Sequence, residues 1–147
     1  IYTSVLIKNR VVLEDPTEQH LRKILNFGHT LGHAVESYFL ENEKKETLLH
    51  GEAIAVGMVL EAYLSYKLTG LSKAELDTIK SAFLERYQKI DFTAHDISSI
   101  LSLLKFDKKN SHGNINFVLL EAIGKPIIDV KIPTELYPKA FSYYKEQ

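Results

Sequence analysis

The sequence predicts a mainly α-helical domain, a multi-helix bundle completed near its C-terminus by a small β-hairpin. Three observations carry this. The run HGEAIAVGMVLEAYLSYKL (His50–Leu68) is apolar on nearly every side, as a helix in the middle of a bundle must be. Helix-start signals recur along the chain. Two short apolar runs, INFVLL and IIDVKI, flank a turn at Gly124 to Pro126 and read as paired strands.

In chain order, Ile1 to Leu13 is uninterrupted by turn residues and reads as a helix rather than a strand. Asp15, Pro16 and Glu18 form an acidic version of the capping box, so a helix is expected to begin at Pro16 and carry through the NFGHTLGH stretch. The charged segment Glu41 to Thr47 reads as an exposed loop. The buried helix follows, with Ala53 and Gly57 forming a small-residue seam and Thr69 and Gly70 ending it. Ser72 with Glu75 opens a helix to about Lys89, and Thr93 with Asp96 a shorter one to about Leu104. Phe106 to Asn114 reads as a polar loop, and Thr134 starts a last amphipathic helix. No internal domain boundary interrupts residues 1–147, so the chain reads as one domain.

Composition narrows the functional classes. The 147 residues are 45% hydrophobic, enough for a real core, and the formal charge of −1 provides no broad field for nucleic acid or an anionic membrane. With no cysteine, thiolate metal sites and disulfides are excluded, and a reducing, cytoplasmic setting is expected. No apolar run reaches the ~20 residues of a membrane span.

The stretch from Glu18 to Glu52 holds four of the six histidines, His20, His29, His33 and His50, and three of the seven glycines in otherwise apolar surroundings. At about 100° per residue, Glu18, Arg22, Asn26, His29, His33 and Glu36 share an arc of about 80° on one helix. His29 and His33, four apart, can face one ion, and His50 can join them if the following helix packs antiparallel. The alternative for such a pair is a core or capping role. Zinc accepts a His/His/carboxylate set with an open position, and Glu36 and Glu52 are the local carboxylates. Arg22 and Asn26 could grip a carboxylate or phosphate, or Arg22 could simply be solvated. The same choice applies to Lys108 and Lys109. His20, His95 and His112 are assigned surface or structural roles. Gly28 and Gly32, costing ~1 kcal/mol each within a helix, imply a close approach by another backbone or a ligand.

Taken together, Lys8, Glu18, Arg22, LNFGHTLGHAVE (Leu25 to Glu36), HGEAIAVGM (His50 to Met58) and DKK (Asp107 to Lys109) resemble the C-terminal domain of 3-dehydroquinate synthases, over essentially the whole chain. The resemblance implies the helical half of a two-domain enzyme whose N-terminal α/β domain binds NAD and lies outside this chain. The implied reaction converts 3-deoxy-D-arabino-heptulosonate 7-phosphate to 3-dehydroquinate and phosphate. It also implies a zinc ion, or cobalt in its place, held by His29 and His50 with a glutamate from elsewhere. His33 then becomes a substrate contact with a catalytic role, alongside Lys8 and Glu18. Arg22, Asn26 and one of Lys108 and Lys109 would hold substrate, and the intact enzyme would be a homodimer acting on a phosphorylated sugar acid.

Two departures from the family pattern, Pro16 and His20, are not expected to touch the chemistry. Other sugar-phosphate cyclases, metal-dependent alcohol or glycerol dehydrogenases, and a non-catalytic helical module are the competing readings. Against the dehydrogenases, simple alcohols need no anion grip of the kind Arg22, Asn26 and DKK could provide. The chain alone is expected to be inactive and to bind zinc weakly.

Overall fold

The computed structural model describes residues 13, 21–43, 45–110 and 115–146. Lys8, Glu18, His20 and His112 lie outside them, as do the side chains of Arg22, Lys108 and Lys109 and most of the expected first helix. The described residues form a 3-10 segment, Leu21–Asn26, then α1 (His29–Glu41), α2 (His50–Leu68), α3 (Lys73–Arg86), α4 (Ala94–Asn110), β1 (Phe117–Ala122), β2 (Lys125–Val130) and α5 (Leu136–Lys145). The mainly helical bundle with a small antiparallel hairpin near its C-terminus is thus as the sequence predicts.

α2 is the central element. Eleven of its residues, from Ala53 to Ser65, are buried, and it packs on α1, α3, α5 and β1. The core gathers Leu31 and Val35 of α1, Val59, Leu60 and Leu64 of α2, Leu76 of α3, Ile100 of α4, and Phe141 and Tyr144 of α5. Tight packing between α1 and α2 depends on glycine. A Cβ at Gly57 would lie 2.0 Å from the Gly28 carbonyl oxygen and 2.6 Å from the Gly32 nitrogen, so the seam expected at Ala53 and Gly57 is real. Opposed residues run in reverse order along the pair, with Glu36 against His50, Gly32 against Ile54 and Gly28 against Met58, which fixes it as antiparallel.

Two of the three sequence-predicted capping boxes form, and the third, at Asp15 to Glu18, lies outside the described residues. The Glu75 amide donates to Ser72 Oγ at 3.1 Å and the Asp96 amide to Thr93 Oγ1 at 3.1 Å, each acidic side chain accepting in return from the cap residue's N–H. Three expectations need correction. The helix expected to run from Pro16 through the histidines is broken: the 3-10 segment ends at Asn26, and Gly28 turns the chain with φ +82° before α1 begins at His29. α4 continues to Asn110 through residues expected to form a loop, so Lys108 and Lys109 stand on its last turn. The hairpin turn is Ile123 and Gly124, and Lys125 and Pro126 already belong to β2. Pro126 is tolerated there because a two-stranded sheet has only edge strands.

Candidate metal centre and substrate cleft

His29 opens α1, His33 follows one turn later, and His50 opens α2 at the end packed against α1. The antiparallel pairing brings the three rings together, with centroids 5.3 Å (His29–His33), 6.0 Å (His29–His50) and 5.9 Å (His33–His50) apart. One ring nitrogen of each lies within 4.8 Å of the others. Nitrogens bound at about 2 Å to a tetrahedral zinc sit about 3.4 Å apart, so small side-chain rotations close the set. His29 is half-buried, while His33 and His50 are exposed.

The outward-facing nitrogens are prepared by what lies behind them. His29 Nδ1 is 3.2 Å from the Phe27 carbonyl, which can only accept, so the ring donates Nδ1–H and the neutral imidazole presents its lone pair at Nε2. His50 Nδ1 is 3.1 Å from a Glu36 carboxylate oxygen, with the same result. Metal-binding imidazoles characteristically donate their second N–H in this way to a carbonyl or carboxylate. Glu52, the other nearby carboxylate, is turned away to accept from the Leu49 N–H at 2.9 Å and so caps α2.

Beside the histidines lies an open cleft of about 540 Å³ whose walls include Asn26, His29, His33, Lys23, Asn116 and Asp129. Asn26 therefore joins the histidines even though the helix expected to connect them is broken. Across the cleft's rim the Lys23 ammonium meets Asp129 at 3.2 Å. Asp129 holds φ +58°, where β2 carries one extra residue opposite β1 between the Phe117–Val130 and Leu119–Ile127 pairs. Neither Lys23 nor Asp129 stood out in the sequence, since the pair is separated by 106 positions. A second cavity of about 390 Å³, between α4 and α5, shares no lining residue with this cleft.

Sequence reading also passed over Glu61. It is fully buried on α2, and its two carboxylate oxygens accept the Gly28 amide at 3.0 Å and the Leu31 amide at 3.1 Å. Burial pushes its carboxyl up to about 8, against the pull of the two amide hydrogen bonds. A carboxylate in the middle of a helix that is apolar on nearly every side was the available signal.

A family profile described as 3-dehydroquinate synthase C-terminal matches residues 1–110. The chain belongs to this family. Relatives named 3-dehydroquinate synthase are 42% identical over 97% of the chain in Parabacteroides distasonis and 40% identical over 92% in Picrophilus torridus. The dehydroquinate synthase C-terminal domain described here spans 40% and 39% of those proteins' lengths. Among solved structures, a 2-deoxy-scyllo-inosose synthase complexed with carbaglucose-6-phosphate, NAD+ and Co2+ is 27% identical with a TM-score of 0.66, covering 86% of the chain and 35% of its own. A 2-epi-5-epi-valiolone synthase from Streptomyces hygroscopicus subsp. jinggangensis, with NAD+ and Zn2+ bound, shares the fold at 22% identity and a TM-score of 0.68, covering 92% of the chain and 36% of its own. None of the domain's described helices is long and apolar enough to cross a membrane.

Proposed function

We propose that this chain is the metal- and substrate-binding half of a 3-dehydroquinate synthase acting on 3-deoxy-D-arabino-heptulosonate 7-phosphate. The observation that carries the reading is the histidine cluster, with the lone pairs of neutral His29 and His50 set at Nε2 by Phe27 and Glu36. Two neutral imidazoles suit zinc or cobalt, and a carboxylate from a part of the protein outside this chain would complete the donor set. When bound there, the cation supplies Lewis-acid polarisation of the substrate hydroxyl that NAD oxidises. His33, exposed on the same cleft, faces substrate and can exchange a proton with a substrate oxygen. Asn26 orients the polar edge of the ligand, and Arg22 with one of Lys108 and Lys109 supplies its anion contacts.

The test uses the protein at full length with NAD and zinc. Formation of dehydroquinate with release of inorganic phosphate, lost in the His29→Ala variant, is the expected result. Absence of that product overturns the reading. Turnover of a hexose 6-phosphate instead would favour the inosose synthase alternative, which the 27% structural relative keeps in view.

A further inference from the structure

The α1 helix begins without a cap of its own. Gly28, in the N-cap position, has no side chain, and no larger residue fits: a Cβ there would lie 2.4 Å from Met58 Cγ, on a backbone with φ +82°. Yet the first amides of a helix require acceptors, which an N-cap side chain normally provides to the third helical residue. Glu61 provides that acceptor from the neighbouring helix, taking the amide of Leu31 at the third position and that of Gly28 as well. The two clamped amides bracket His29. On its other side, the His29 ring is tied back to the Phe27 carbonyl.

The geometry points to Glu61 as a positioning residue for the metal site, holding the turn at residues 27–31 so that His29 faces His33 and His50. Glu61 sits 11 positions after His50 on α2, about 16 Å along the axis, and so acts through the start of α1 rather than by touching the ligand. Simple folding glue would need only one buried hydrogen bond somewhere in the core. Here both oxygens are spent on the two amides flanking one candidate ligand.

The inference rests on the metal-site reading, and the test separates the two. Zinc affinity of the full-length protein is measured by chelator competition for the unsubstituted protein and for Glu61→Gln, Leu76→Ala and His29→Ala. Glu61→Gln keeps the shape but leaves one backbone amide without an acceptor, and it is expected to weaken zinc binding roughly tenfold or more. Leu76→Ala, in the core on α3, lowers Tm but is expected to leave the zinc Kd within about twofold. Zinc binding by folded Glu61→Gln within about twofold of the unsubstituted protein overturns the inference, as does an equal loss in Leu76→Ala. If Glu61→Gln fails to fold, amide exchange in the unsubstituted protein decides. Zinc must then slow exchange at Gly28 and Leu31 more than in α3, and equal rates overturn the proposal. Zinc binding indifferent to His29→Ala removes the metal-site reading and this inference together, whereas a His29-dependent site indifferent to Glu61→Gln removes this inference alone.

Discussion

His50 donates its Nδ1–H to Glu36, 3.1 Å away on the neighbouring helix, so the carboxylate closest to the histidine cluster orients an imidazole. Substituting Glu36→Gln should therefore weaken zinc binding by the full-length protein by about tenfold while Tm moves little, because the pair is on the surface. Isothermal titration with a competing chelator checks it. An unchanged Kd would mean that Glu36 does not set the ring.

The glycine seam predicts opposite outcomes for two substitutions on one helix. Gly57→Ala places a methyl group 2.0 Å from the Gly28 carbonyl, backbone against backbone, and should cost about 3 kcal/mol or more as α1 is forced away. Gly51→Ala meets nothing nearer than Tyr87 Oη at 3.8 Å, and should be neutral or stabilising by up to about 1 kcal/mol. Urea unfolding of the two variants gives both values.

Two buried carboxyls bend the stability profile in opposite directions with pH. Burial would raise Asp96, but hydrogen bonds from Tyr38, Thr93 and Lys45 outweigh it and hold its carboxyl down to about 2, below its ordinary 3.8. Its stabilisation is present above the unfolded value and is lost as pH falls through 3.8 towards 2. Glu61 is raised from 4.5 to about 8, so its contribution is complete below 4.5 and is lost as pH rises towards 8. In metal-free protein these two groups place maximum stability at mildly acidic pH. Denaturant midpoints across pH should show Asp96→Asn flattening the acid limb and Glu61→Gln the alkaline limb.

Helix C-terminal capping gives a further check. Lys80 donates to the carbonyl oxygens of Tyr143 and Glu146, and Lys89 to those of Lys145 and Glu146, at the end of α5. Lys80 lies largely buried and also stands over the Tyr143 ring at 4.2 Å. Lys80→Met should cost roughly 1–3 kcal/mol, because two carbonyls lose a charged donor. Lys89→Met, at an exposed position, should cost less than about 1 kcal/mol. Thermal unfolding of the pair ranks them.

Local rules explain what could be foreseen. Ser72 with Glu75 and Thr93 with Asp96 mark helix starts because each cap is satisfied within four residues, and His50–Leu68 announces its burial by composition alone. The break at Gly28 was hidden because helical periodicity describes side-chain directions and says nothing of a backbone angle. His29, His33 and Asn26 still converge on one cleft, by way of a turn rather than a shared helical stripe. The extension of α4 through Asp107 to Asn110 was missed because polar residues suit a solvated helix end as readily as a loop. Glu61 and the Lys23–Asp129 pair depend on partners thirty or more positions away, which no local window contains.

Ser65 and Thr69, one turn apart on and just beyond α2, bind the amide and the carbonyl of Leu120 through their hydroxyls. Both groups of Leu120 point away from β2, along the edge where a further strand would otherwise add. The hairpin is thereby withheld from strand exchange between molecules at that residue, so the central helix closes a sheet edge as well as filling the core.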